Sequence, residues 1–158
     1  MSTPEIILLP ANMSDAGLLL LYRNDPETIR QSVQQKPIES AEHLAWLEAV
    51  LDTPRCQLYI ANEIQASVFF PVGTGRLDLR DNGSVELSLT VAPGHRGRGV
   101  GGQLLAALIK KAREFGFHRL RARVRANNIA SMIAFLKAGF VPVTDQIVEM
   151  ELECPIKS

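Results

Sequence analysis

The sequence is poor in the features that mark whole classes of protein. It has two cysteines in 158 residues, Cys56 and Cys154, and their separation fits neither a redox pair nor a metal-ligand set. No disulfide framework is implied, no ligand cluster suggests a metal, and a reducing cytoplasm is the expected compartment. Charge of one sign is also missing: Lys+Arg and Asp+Glu both number 17, which argues against a general nucleic-acid footprint. The longest apolar run, Gly17 to Leu21, is too short to span a membrane. The N-terminus lacks a basic stretch followed by a long apolar one, so no signal peptide is expected. Repeats, low-complexity tracts and Pro/Gly/Ser linkers are absent, and one domain over residues 1–158 is the reading. What remains, 46% apolar and 22% charged, is the make-up of a globular domain with a sizeable core.

The hydrophobic period changes twice along the chain. Glu5 to Leu9 reads as an edge strand. Ser14 and Asp15 read as a cap and first turn, followed by an apolar helix face over Leu18 to Tyr22. Arg23-Asn24-Asp25-Pro26 breaks that helix and opens a polar segment to Pro37. Ser40 then caps a helix with Leu44, Leu47, Val50 and Leu51 at helical spacing, ended by Pro54. Gln57 to Ala61, Ala66 to Phe70 and Gly73 to Leu79 read as strands, and Asp81-Asn82-Gly83-Ser84 is a hairpin signal. Val85 to Val91 alternates strictly, with Glu86, Ser88 and Thr90 on its polar side. Gln103 to Phe115 is an amphipathic helix ended by Gly116. Leu120 to Val124 is a strand with outward arginines, Asn128 caps a helix ended by Gly139, and Val148, Met150 and Leu152 mark a final strand. This order predicts an α/β domain, a mixed sheet flanked by helices.

Chemistry concentrates between residues 85 and 105. The strand ends at Val91, Pro93 interrupts the ladder, and Arg96-Gly97-Arg98-Gly99-Val100-Gly101-Gly102 opens directly into a helix. Glycines let the backbone approach a ligand, the helix start offers free N–H groups, and two arginines add charge, which suits a pyrophosphate-bearing cofactor. A plain basic surface loop would not need strand, loop and helix in register. Gly97, Gly99 and Gly102 also satisfy a dinucleotide fingerprint, but the next strand ends in Val124-Arg125-Ala126-Asn127, without an acid for a ribose. A coenzyme A site is the third reading.

Arg96-Gly97-Arg98-Gly99-Val100-Gly101 resembles the Q/R-x-x-G-x-G/A signature of the GNAT superfamily of acetyl-CoA-dependent N-acyltransferases. Val91-Ala92-Pro93 before it matches as well, as does Asn128-x-x-Ser131-x-x-x-Phe135-x-Lys137-x-Gly139-Phe140 after it. The resemblance implies a mostly antiparallel sheet whose parallel pair, Val85 to Val91 and Leu120 to Val124, splays apart. It places the pantetheine arm of acetyl-CoA along Leu89, Thr90 and Val91 like an added strand. The pyrophosphate falls on the loop from Arg96 through Gly97, Arg98, Gly99, Val100 and Gly101 to Gly102, with Asn128, Ser131 and Phe135 on the cofactor side. Glu86 is the implied general base, against the alternative of an ion-paired strand glutamate. Phe135 stands where the family usually has a tyrosine acid, so proton return to the thiolate has no assigned donor; Tyr22 and Tyr59 are the only tyrosines.

The expected activity is acetylation of a small-molecule amine. Arg23, Asn24 and Trp46 resemble the N-terminal pattern of GNAT enzymes acting on nucleotide-linked amino sugars. Arg23 would meet a phosphate, Asn24 sugar hydroxyls, and Trp46 a stacking partner, or Trp46 fills the core. Peptide or protein acetylation and a non-catalytic acetyl-CoA sensor are the alternatives. A homodimer follows only by analogy with the fold.

Overall fold

The computed structural model describes residues 5–31, 35–143 and 147–153, the last of these by backbone alone. β1 (Glu5–Pro10) leads through a short 3-10 turn into α1 (Ala16–Arg23), α2 (Pro26–Gln31) and α3 (Ser40–Asp52). The hairpin of β2 (Cys56–Gln65) and β3 (Val68–Leu79) follows, then β4 (Val85–Val91) and α4 (Val100–Glu114). β5 (Arg119–Arg125), α5 (Ile129–Lys137), β6 (Val141–Pro142) and β7 (Ile147–Glu153) complete the order. The sheet runs β1-β2-β3-β4-β5-β7-β6. Every neighbouring pair is antiparallel except β4 and β5, which lie parallel. This is the mixed, mostly antiparallel α/β sheet that the sequence predicts.

Alternation on β4 sorts its side chains to two faces. Val85 and Leu87 join Leu104, Leu105, Leu108 and Ala112 of α4 in the main core, with Leu120, Ala122 and Val124 of β5 beside them. The opposite face carries a smaller cluster in which Leu19 of α1 and Leu47 and Val50 of α3 cover Cys56, Leu58 and Ile60 of β2. Close approach of α4 to the sheet requires glycine at 75 on β3, and close approach of β4 requires it at 73. A Cβ on Gly75 would lie 2.7 Å from a Leu108 methyl, and one on Gly73 would overlap the Thr90 carbonyl oxygen.

Several local expectations change. The first cap is Asn12, not Ser14: Asn12 and Asp15 form a reciprocal capping box around the 3-10 turn. The polar stretch after Arg23 contains α2, started by Asp25, whose Oδ2 accepts from the Thr28 backbone N at 3.1 Å, with Pro26 in the first helical position. On α3 the buried stripe is His43, Leu47 and Val50, while Leu44 and Leu51 point outward. Ala66 and Ser67 are not strand residues; both have left-handed φ and turn the β2–β3 hairpin. Cys154 lies outside the described residues.

Candidate functional site

β4 and β5 are paired only at Val85↔Leu120 and Glu86↔Arg121. Beyond Glu86 the two strands part, while β4 continues to Val91 and stays paired with β3 on its other side. The edge of β4 from Leu87 to Val91 that faces β5 therefore has no ladder there. An extended chain can pair with it as a strand would. From Val91 back to Glu86 the distance along the strand is roughly 17 Å at about 3.3 Å per residue.

The open end of this wedge meets the start of α4. Gly97 and Gly99 have φ of 76° and 79°, a conformation that strains any side chain, and Gly99 caps the helix without a side-chain bond. The first N–H groups of α4 have no intrahelical acceptor, and its N-cap Gly99 has no side chain to cap them. Gly102 carries a different signal: its φ is ordinary for a helix, and a Cβ there would meet nothing within 4 Å. Neither backbone nor packing asks for glycine at 102, and the open room beside it belongs to the groove along α4. A groove of about 600 Å³ continues from Gly102 along α4 to Lys110 and Arg113, bounded by Ala134 and Lys137 of α5.

The loop arginines are less available than their sequence suggests. Arg96 donates to Asp25 Oδ2 at 2.7 Å and to Thr28 Oγ1 at 2.9 Å. Arg98 donates to Glu63 Oε1 at 2.5 Å, a carboxylate 3% exposed on β2, and lies 2.9 Å from His95 Nδ1. Withdrawing Arg98 would leave a buried charge unpaired, which typically costs several kcal/mol. The backbone of the loop, more than its two guanidinium groups, is thus positioned to receive a phosphate.

At the closed end of the wedge lies Glu86, 8% exposed. Its Oε1 accepts from Arg123 Nε at 2.8 Å and its Oε2 is 2.5 Å from Arg80 Nη2. The structure thus shows the ion-paired strand glutamate that stood as the alternative to a general base. It borders a cavity of about 420 Å³ that Arg80, Asp81, Asn82, Arg121, Ala122 and Arg123 complete.

The remaining site residues fall into two sets. Arg23, at the end of α1, has a buried Nη1 without a hydrogen-bond partner among the described residues. Asn24 uses both amide functions on the Ile38 backbone, at 2.7 and 2.8 Å. Trp46 is half-buried, 5.4 Å from the His43 ring, with the Arg76 guanidinium 5.7 Å from its own centroid. His43 is 2% exposed, and burial pushes its pKa down. Asn128 caps α5 by accepting from Ser131 N at 3.3 Å. Phe135 is buried in the core, edge-on to Phe140 at 4.9 Å. Tyr59 is in the core and Tyr22 is also buried, and burial raises the pKa of each phenol. Asp25, Glu63, Arg80 and Arg123 were not singled out from the sequence. Asp25-Pro26 is a readable helix start, and Glu63 an acid in an apolar strand, but their arginine partners lie 71 and 35 residues away.

Comparison with known proteins places this geometry. The family model described as acetyltransferase (GNAT) family matches residues 21–140. The L-methionine sulfoximine/L-methionine sulfone acetyltransferase of Pseudomonas aeruginosa is 31% identical over 129 residues, 78% of this chain and 73% of that protein. An L-amino acid N-acyltransferase of Escherichia coli is 40% identical over 67 residues, 42% of this chain and 38% of its own. A Salmonella typhimurium protein solved with its cofactor acetyl-CoA superposes with a TM-score of 0.76 at 21% identity, covering 98% of this chain and 96% of that one.

Proposed function

Because the chain belongs to the acetyltransferase (GNAT) family, we propose that it acetylates the primary amine of a small amino-acid-type molecule. It is an acetyl-CoA-dependent N-acetyltransferase. The observation that carries the reading is Glu86, a carboxylate at the closed end of the wedge opening onto a cavity of about 420 Å³. The wedge and loop fit the cosubstrate: Leu87 to Val91 offer backbone to its arm, and Gly97 to Gly102 a cradle for its phosphates. Lys110, Arg113 and Lys137 supply cations along the groove for its nucleotide end.

Acetyl-CoA supplies a thioester carbonyl that an amine can attack. The chain's part is to orient and to move protons. Glu86 takes the proton from the incoming amine, and Arg80 and Arg123 hold its carboxylate in one orientation while it does so. Phe135 has no proton to give, and Tyr59 is committed to the core. The proton that returns to the sulfur is assigned to solvent.

The amino-acid class rests on relatives whose names carry methionine derivatives and L-amino acids. A nucleotide-linked amino sugar has no such support, and Asn24, expected to meet sugar hydroxyls, already bonds the backbone twice. Thiol release from acetyl-CoA, measured with L-methionine sulfone, an amino sugar and a short peptide as competing acceptors, tests the class. Methionine sulfone should be preferred. Preference for the peptide would promote protein acetylation, and binding without turnover of any amine would favour a sensor.

A further inference from the structure

The geometry points to a role for Arg96 other than holding phosphate: it is the strut through which the cofactor loop positions the acceptor-side helices α1 and α2. Its guanidinium leaves the loop to reach the junction between those helices, where Nη2 bonds both Asp25 Oδ2 and Thr28 Oγ1. The same Asp25 oxygen accepts from the Thr28 backbone and so starts α2. One carboxylate oxygen therefore serves as helix cap and as anchor for a loop 71 residues further along the chain. Next to it, Asn24 grips the backbone of Ile38 in both directions and ties the same junction to the approach to α3.

Electrostatics agrees with the geometry. The Arg96 guanidinium holds the Asp25 carboxyl below the usual carboxylate range, so Asp25 is ionised at neutral pH. Drawing Arg96 Nη2 to a phosphate would give up its bonds to Asp25 and Thr28, the first of which is the ion pair. The backbone cradle at Gly97 to Gly102 makes that exchange unnecessary. Ordering the loop around a ligand then restrains Arg96, and through Asp25 it restrains α1 and α2. By linkage, anything those helices bind feels whether the loop is filled. The acceptor part of this inference rests on the proposed function and extends the acceptor site from the Glu86 cavity to the sheet face that α1 and α3 cover.

The test uses the full chain with Asp25→Asn, Arg96→Gln, the double variant and Arg96→Lys. Asp25→Asn keeps an oxygen for the Thr28 cap, so it removes charge more than structure, and thermal melting verifies that each variant is folded. Acetyl-CoA should slow amide exchange in residues 16–31 of the wild type, and both single variants should lose that protection. Their acetyl-CoA Kd should stay within about twofold of wild type, while KM for L-methionine sulfone rises about tenfold, a common size for coupled sites. The double variant should be no worse than either single one, and Arg96→Lys should recover part of the loss. If Arg96→Gln weakens acetyl-CoA about tenfold while Asp25→Asn does not, Arg96 is a phosphate ligand and the inference fails. Unchanged exchange in residues 16–31 also overturns it. Lost protection with KM unchanged for every amine would uphold the strut and overturn the placement of the acceptor.

Discussion

Arg123 donates from Nε to Glu86 Oε1 across the point where β4 and β5 separate, at 2.8 Å. The two residues are not register partners: Glu86 lies opposite Arg121, and Arg123 is one pleat further along the same face. The bond therefore spans the first step of the opening. It fixes the carboxylate where the wedge narrows, on the polar face of β4, away from the core that Val85 and Leu87 enter.

Glu86→Gln keeps the shape of the side chain and removes the proposed base. Turnover should fall by roughly 10² or more, with acetyl-CoA affinity little changed. Arg123→Gln leaves the base but loosens it, so turnover should fall by less, about tenfold. Single-turnover rates at saturating acetyl-CoA measure both. Near-normal turnover in Glu86→Gln would make the residue a structural ion-pair partner.

Two glycines separate binding from stability. Gly99 needs its left-handed φ, so Gly99→Val should lower the melting temperature and weaken acetyl-CoA binding together. Gly102→Leu meets open space in an ordinary helical conformation and should leave the fold intact or slightly more stable. Its side chain would nevertheless occupy the cradle, and calorimetry should show at least about a tenfold loss of acetyl-CoA affinity. Unchanged affinity would place the phosphates elsewhere.

The contrast between those glycines shows what was legible in the sequence. Strand, glycine loop and helix follow one another within twenty residues, so local spacing was enough to place the loop and the amphipathic face of α4. Alternation likewise assigned the two faces of β4. Long-range partners were not legible, because nothing local says that Arg98 will find Glu63 or that Arg80 and Arg123 will converge on Glu86. Surrogate signals also misled. Ser14 lost the cap to Asn12, whose side chain reaches the right amide, and Leu44 lost its place in the stripe to His43, whose ring packs against Trp46. The length of the β2–β3 hairpin was hidden because Ala66 and Ser67 make its turn without glycine or asparagine.

The close approach of β3 and β4 at Gly73 gives a stability prediction. Gly73→Ala would set a Cβ against the Thr90 carbonyl, which is backbone and cannot swing away. Urea unfolding should show a loss of about 1–3 kcal/mol, the usual cost of overpacking. Thr90 is also on the strand offered to the pantetheine arm, so the displaced backbone should weaken acetyl-CoA binding too. A variant as stable as the wild type would mean that β3 and β4 can separate at this point without cost.

Cys56 provides a pH test of the second, smaller core. Burial, reinforced by the charge of Asp78, pushes its thiol up to about 12, so it is a neutral core residue at physiological pH and not a nucleophile. Alkylation with iodoacetamide at pH 8, followed by peptide mapping, should leave Cys56 unmodified in the native protein and label it once the chain is unfolded. The same shift carries a sign for stability. In the unfolded chain the thiol ionises near its ordinary value, about 8.5, whereas in the folded protein it stays protonated far above that. Its contribution is therefore complete below the unfolded value and is lost as pH rises from there toward about 12. Cys56→Ala has no thiol to ionise. The stability gap between wild type and this variant should therefore narrow steadily above pH 9, while groups that titrate in both proteins cancel. A gap that stays constant from pH 7 to pH 11 would show that burial does not hold the Cys56 proton.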